Sequence, residues 1–491
     1  MTQLYAIGNR VSQLIDTKRI YLVLIRPHCV VTSFLDCLSD SLKSIKSSAK
    51  LTSIQKLVLT TLIVGILVTE KLNWAAFERM SLGKFKSTRI CWIVYSAKIA
   101  WRNMLQASVY NILSRYGITS GTIVLDDTSK KRSRNTTRIE GTHKVKDKVT
   151  GGYFNGQELI FMVLVTDVAT FPVDFRFYVP DPELSAWRKN NNQLKKKGIS
   201  KKLRPKMPEP NHSQFPTLQM LALDMIREFV TQFPNVTIKG VLADALYGTG
   251  KFMDEAASAT GQSQVVSQLR SNQKVSSQNS EATLKDYFAR QPGVERQIII
   301  RGGEKKTVTI LSARLYVKAH NKRRFIVALK YENEEEYRFL VASNLSWHHA
   351  DIAKLYSLRW LIEVFIQDWK AYGGWNRLSK QQGKKGSERG LILSLLCDHV
   401  LLLHPEQSAR FKNKQPGLPT GCLIERIKAD VLVNTIRDVV ASNDPKAELE
   451  LLTQALKDVL PTRETAKHMS GRNIGRQGPA ASLKYHAKKA A

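Results

Sequence analysis

Two hydrophobic periods divide this chain. Up to about residue 115 apolar residues recur at three-to-four spacing, over 33–42, 53–72, 75–80 and 98–113, which predicts helices. The pattern then tightens. Gly121-Thr-Ile-Val-Leu-Asp126 is a β-branched run ending in an acid, and 153–166 and 171–179 follow as strands with little helix between them. A helical stretch over 217–233 precedes a second short strand, Val236-Thr-Ile-Lys-Gly-Val-Leu-Ala-Asp244, which ends in an acid in the same way. Strand patterning returns over 296–301, 306–311, 314–317, 324–330 and 337–341, with turns at Gly302-Gly303 and 332–336. After Gly373-Gly374 apolar helices run to about His404, and a mixed helical segment continues from Pro405 to Val459.

These shifts divide the chain into six parts. Residues 1–115 form a helical domain, suited to gripping DNA and equally to serving as a plain bundle. An α/β core occupies 116–272 and 346–405, with a β-rich insertion at 273–345. A helical region at 406–460 suits oligomerisation, and the basic tail at 461–491 is expected to be disordered.

Charge narrows the partners. The 75 Lys and Arg against 42 Asp and Glu leave +33 and a pI near 9.9, the imbalance of a protein that neutralises phosphates along a polynucleotide. Residues 128–151 hold eight Lys or Arg against two acids, and 186–206 hold nine against none. Both read as mobile loops, and their place beside a strand that ends in an acid gives them a phosphate-facing role.

Other classes drop out. Cys29, Cys37, Cys91, Cys397 and Cys422 lack CxxC spacing, which argues against a zinc ribbon or a disulfide framework and fits a reducing cytoplasm. The apolar run 57–69 is too short to span a bilayer and too deep for a signal peptide, so a soluble protein with no membrane partner is expected. No Gly-x4-Gly-Lys-Ser/Thr run signals a nucleotide cofactor. His143, His399 and the pair His348-His349 lack partners at metal-ligand spacing and read as structural.

The richest stretch is Tyr356-Ser-Leu-Arg359-Trp-Leu-Ile-Glu363-Val-Phe-Ile-Gln-Asp-Trp-Lys370. On one continuous helix Tyr356, Arg359, Glu363 and Lys370 would share an arc of roughly 60°, with apolar residues covering the rest. An Arg–Glu pair at i,i+4 would explain part of this stripe on its own. The two strand-ending acids add a second reading: Asp126, Asp244 and Glu363 are 118 and 119 positions apart (244 minus 126, 363 minus 244). Three converging carboxylates on stiff supports are the hard-oxygen ligands that divalent cations require for phosphoryl transfer.

The spacing Y-x2-R-x3-E-x6-K, with the strings Leu125-Asp126-Asp127-Thr128 and Asp244-Ala-Leu-Tyr247-Gly248, resembles the signature of DDE transposases of the insertion sequence four family. The order of strands, helix, acid and insertion matches that family's plan over about 120–375. The resemblance implies a ribonuclease H-like α/β core and an enzyme that nicks and joins DNA, in cut-and-paste transposition. It implies that Asp126, Asp244 and Glu363 ligate two Mg²⁺ ions, for which Mn²⁺ may substitute, with Asp127 open as an alternative to Asp126. Arg359, Lys370 and Tyr356 would contact DNA. Lys370, about 10 Å along the helix from Glu363, would meet a different phosphate from the scissile one. Tyr337 or Trp347 would stack a base flipped out for hairpin formation. The partners would be double-stranded DNA of element ends and target, bound by a homodimer in a bacterial cytoplasm at the nucleoid. A non-transposing nuclease of the same fold and a catalytically dead DNA-binding derivative are the competing functions.

Overall fold

The computed structural model describes residues 28–69, 74–80, 85–147, 150–277, 280–300, 303–332, 334–372 and 381–459. The expected disordered tail at 461–491 and the Gly373-Gly374 break lie outside the described residues.

Among the described residues five helices come first: α1 (Cys29–Ile45), α2 (Ser53–Thr69), α3 (Trp74–Met80), α4 (Ser87–Tyr95) and α5 (Trp101–Tyr116). The pattern missed α4. The central segment runs β1 (Ser120–Lys131), β2 (His143–Lys146), β3 (Tyr153–Val165), β4 (Thr170–Tyr178), α6 (Pro182–Lys196), α7 (Leu218–Gln232), β5 (Thr237–Ala243), α8 (Gly250–Ala259) and β6 (Gln264–Leu269). There follow β7 (Lys274–Ser277), β8 (Ser280–Thr283), α9 (Leu284–Ala289), β9 (Val294–Ile299), β10 (Lys305–Val317), β11 (Lys322–Tyr331) and β12 (Arg338–Ala342). Then come α10 (His349–Ser357), α11 (Trp360–Ala371), α12 (Gly383–Leu402), α13 (Pro405–Lys412), α14 (Thr420–Val440) and α15 (Pro445–Val459).

One mixed sheet of 12 strands carries the molecule, in the order β2-β3-β1-β5-β6-β12-β11-β10-β7-β8, with β4 on β3 and β9 on β10. Its first part is ribonuclease H-like: β1, β3 and β4 are antiparallel neighbours, and β5 and β6 join parallel to β1 after helical crossovers. The β-rich segment is continuous with this core, because β12 pairs antiparallel with β6 through Val341 opposite Ser267.

Strand alternation splits the core in two. Val124, Phe161 and Leu242 face one side, beneath α1–α4, α10–α12 and α14. Ile123, Leu125, Ile160 and Val241 face the other, beneath α7, α8 and the end of α5. A strand buried on both faces reads as a continuous apolar run, which is the pattern of Leu159 to Val165 in β3.

Three expectations are corrected. Residues 186–196 are not a loop: Asp181 accepts from the backbone N–H of Glu183 (2.9 Å) and Leu184 (3.3 Å), Pro182 opens the first turn, and α6 results, with only Leu184 buried, while 197–206 stay largely irregular. The charge run hid this start signal. Likewise 128–151 is not one loop, since β1 continues to Lys131 and β2 pairs with β3. The strands expected at 306–311 and 314–317 are one strand, β10, because Ser312 and Ala313 keep the ladder and pair with Val327 and Ile326.

Candidate active site

Asp126 and Asp244 meet because β1 and β5 are parallel and in register. Leu125 lies opposite Ala243, so the next residue on each strand is an acid at the same edge. Carboxylate oxygens of Asp126, Asp127 and Asp244 all lie within 4.8 Å of one another. Alternation separates the two neighbours on β1. Asp126 follows the Val124 side, where α11 packs, whereas Asp127 follows the Leu125 side, towards Tyr247.

Asp244 is fixed by its turn. Its side chain accepts from the Leu246 N–H (2.9 Å), and its carbonyl accepts from the Ser267 hydroxyl (2.6 Å). The chain then passes so close to β6 that a Cβ on Gly248 would lie 2.3 Å from the Gln268 carbonyl oxygen, so only glycine fits. His320 and Arg324, which flank the β10–β11 turn, hold this turn from the far side. His320 Nδ1 accepts from Arg324 Nε (3.3 Å), leaving Nε2–H to donate to the Gly248 carbonyl (2.9 Å); burial keeps the ring's pKa below its ordinary value. Arg324, fully buried, pairs with Asp254 (2.9 Å) and donates to the Gly250 carbonyl (3.3 Å).

The polar stripe does not lie on one uninterrupted helix. Tyr356 closes α10, and Glu363 and Lys370 belong to α11. Between them Leu358 and Arg359 form i→i+3 bonds, Leu358 N–H to Leu355 O (3.1 Å) and Arg359 N–H to Tyr356 O (3.0 Å). This tightened turn sends Arg359 across to β1, where its guanidinium donates to Asp126 (3.1 Å) and also to Glu363. Asp126 and Glu363 therefore face each other through one cation. Phe365 and Trp369 seat α11 on the sheet against Phe161, with centroids 5.6 and 4.8 Å apart, and Trp369 donates to Ser394 (2.8 Å).

A cavity of about 330 Å³ opens over Asp126, Asp127, Thr128, Glu363, Ile366, Gln367 and Lys370. Lys370 thus shares the space with the acids despite its distance along the helix, because β1 passes beneath α11. Burial lowers its pKa, and Asp126 opposes the shift. Burial pushes the Asp126 carboxyl up to about 7 despite Arg359, and Asp127 and Asp244 add to the rise. Tyr356 lies under the same acids; its hydroxyl is buried without a hydrogen-bond partner among the described residues, and burial raises its pKa. Clustered hard oxygens and an open approach fit a divalent cation at Asp126, Asp127 and Asp244, while Glu363 borders the same cavity outside that cluster, held by Arg359.

Other expected residues lie elsewhere. Trp347 lines a separate cavity of about 870 Å³ with Thr122, Asp167 and Lys239, at the start of β1, whereas Asp126 lies in the middle of that strand. Tyr337 packs within the β-rich part beneath Lys330, 5.4 Å from ring centre to ammonium. Neither reaches the acidic cavity. His399 is structural: it is fully buried, bonds Ser108 Oγ (2.7 Å) and the Pro172 carbonyl (2.8 Å), and burial lowers its pKa to about 4.

Residues 96–325 match the family model described as DDE superfamily endonuclease. The matched stretch covers just under half of the chain. Asp126, Asp127 and Asp244 fall within the matched stretch, and Glu363 lies beyond its end. No curated protein matches the chain. Among solved structures it is similar to a piggyBac transposase synaptic complex with hairpin DNA, with a TM-score of 0.41 and 9% identity over 93% of this chain and 87% of that chain. No helix among the described residues is long and apolar enough to cross a membrane.

Proposed function

We propose that the protein is a DDE transposase that cuts and joins duplex DNA at the ends of its own element. The observation that carries this reading is the meeting of Asp126 and Asp244 at one edge of a ribonuclease H-like sheet, with Glu363 brought to Asp126 by Arg359. Asp126, Asp244 and Glu363 would hold two Mg²⁺ ions, with Asp127 contributing from the second face. Bound there, the ions would supply Lewis-acid activation of the attacking hydroxyl and charge neutralisation at the scissile phosphate.

The chain's own groups do the rest. Lys370 borders the cavity and presents an ammonium to a phosphate entering it. Arg359 bears the guanidinium that can trade a carboxylate for a phosphate, which it binds with the same fork. The basic surface of α6 and of the segment 128–151, together with the net +33, supports binding of the flanking duplex. Insertion sequence four kinship, a homodimer, and action at the bacterial nucleoid belong to the same proposal and rest on the Y-x2-R-x3-E-x6-K spacing.

The test is Glu363→Ala, assayed on DNA carrying the inverted repeats that flank the gene. Mg²⁺-dependent nicking is expected to fall to background while duplex affinity is retained. Undiminished cleavage by this variant would exclude the assignment.

A further inference from the structure

The stretch from Asp244 to Gly250 links β5 to α8 through a single 3₁₀ turn, Ala245–Tyr247. Backbone carbonyls in such a stretch need partners from elsewhere in the chain. Alternate carbonyls find them on three other parts of the fold. The Asp244 carbonyl accepts from the Ser267 hydroxyl of β6 (2.6 Å), and the Leu246 carbonyl from Gln219 Nε2 of α7 (2.6 Å). The Gly248 carbonyl accepts from His320 Nε2 (2.9 Å), and the Gly250 carbonyl from Arg324 (3.3 Å), both at the β10–β11 turn. Gln219 Oε1 also accepts from the Thr249 hydroxyl (3.1 Å), so one side chain spans the stretch from Leu246 to Thr249. Leu246 is the residue whose N–H donates to the Asp244 carboxylate (2.9 Å). Gln219 therefore holds the residue that orients this acid. His320 fixes the far end, where a Cβ on Gly250 would lie 2.9 Å from His320 Cα, and the bond from Arg324 Nε to its Nδ1 (3.3 Å) turns its Nε2 towards Gly248. Helix α8 does not need these bonds to start, because Thr249 caps it by accepting from the Phe252 N–H (3.4 Å).

We propose that Gln219 and His320 are positioning residues for Asp244, clamping the 244–250 turn so that the Leu246 N–H keeps the Asp244 carboxylate aimed at a bound divalent cation. This deepens the metal-centre reading above and rests on it. Neither side chain bonds the acid itself; both act through the turn. Losing a group that orients a metal ligand typically weakens metal affinity about 10- to 100-fold. On this account the β-rich segment is part of the metal centre's geometry, since it supplies His320 from 72 positions beyond the carbonyl it holds.

The experiment titrates the full-length protein with Mn²⁺, following free ion by electron paramagnetic resonance, for the unaltered chain, Gln219→Met, His320→Asn, His320→Gln and Asp244→Asn, with thermal melting recorded for each. An asparagine amide takes the place of Nδ1 and cannot reach Gly248, whereas the amide nitrogen of a glutamine takes the place of Nε2. Gln219→Met is expected to weaken Mn²⁺ binding by about tenfold with unchanged melting, and His320→Asn to weaken it to a similar degree. His320→Gln should melt with His320→Asn yet recover the affinity to within about threefold of the unaltered chain. Asp244→Asn should abolish the tightest binding. Weakening below about threefold in both Gln219→Met and His320→Asn, with Asp244→Asn defective, overturns the positioning role and leaves the metal centre standing. Equal weakening by His320→Gln and His320→Asn assigns the effect to packing and also overturns it. Should His320→Asn fail to fold, Gln219→Met, at a partly exposed position, decides by the same threshold. Unchanged binding in Asp244→Asn removes the metal centre, and this proposal with it.

Discussion

Two clusters of arginine and carboxylate occupy this fold, and they differ in how far they open to a cavity. In the first, Arg102 of α5 bonds Asp174 of β4 (2.8 Å), Glu388 of α12 and the Phe175 carbonyl (3.3 Å), while Arg176 bonds Asp174 and Glu228. Arg102 also lies over the Phe175 ring, 4.6 Å from its centre. Two guanidiniums serve three acids, and Ser108, His399 and Pro172 add a second polar link between the same three elements. The second cluster sets the Arg359 guanidinium between Asp126 and Glu363, beside Asp127 and Asp244, with Lys370 across the cavity and two buried phenolic hydroxyls that have no hydrogen-bond partner among the described residues. The first arrangement is closed and ties the helical segment to the sheet. The second gathers the carboxylate oxygens of Asp126, Asp127 and Asp244 within 4.8 Å of one another beside an open cavity, which is the condition of a site made to receive cations.

The difference can be broken at several points. Asp174→Ala leaves Arg102 and Arg176 without their shared acid and is expected to cost about 3 kcal/mol, measured by denaturant unfolding, because removing one partner strands buried charge. Loss of less than about 1 kcal/mol would mean that the closed cluster does not staple the fold.

The second polar link makes a pH prediction. His399 is neutral in the fold, with its pKa lowered from 6.5 to about 4 by burial. The unfolded chain takes up the proton first, so stability is full above about 6.5 and is lost as pH falls towards 4, by at most about 3 kcal/mol. His399→Gln should flatten that limb of the stability profile, and an unchanged slope would place the proton elsewhere.

At the open cluster the sign reverses. Burial raises Asp126 to about 7, so its ionised form disfavours the fold, and stability falls as pH rises from about 4 through 7. Asp126→Asn, measured without divalent cation, should therefore stabilise by about 1 kcal/mol at pH 8, the gain shrinking towards pH 4. A destabilised Asp126→Asn would show that Arg359 already balances the site.

What the sequence disclosed follows the same division. The acids were readable because each follows a local pattern, the β-branched runs before Asp126 and Asp244, although β1 runs on past Asp126 to Lys131; parallel register then brought the two together. Glu363 was readable from its spacing to Arg359. Partners that depend on distant chain were not: Arg359 to Asp126 spans 233 positions, and nothing local tells whether a guanidinium meets a phosphate or an acid. Trp347 was read as a base-stacking candidate from its place near the end of the β-rich insertion, and the fold sets it in a separate cavity beside Thr122. Helix α6 was hidden by its own charge, though Asp181-Pro182 announced it. Tyr247 was visible in the string Asp244-Ala-Leu-Tyr247-Gly248, yet only the fold shows its hydroxyl buried with no hydrogen-bond partner among the described residues.

The central claim is that the carboxylate cluster around Asp126 exists to bind divalent cations. Anomalous diffraction from crystals soaked in Mn²⁺ tests it directly. The account predicts Mn²⁺ density bounded by Asp126, Asp244 and Glu363, with Arg359 withdrawn from at least one of its carboxylates; crystals in which these acids bind no Mn²⁺ and Arg359 keeps both bonds would contradict it.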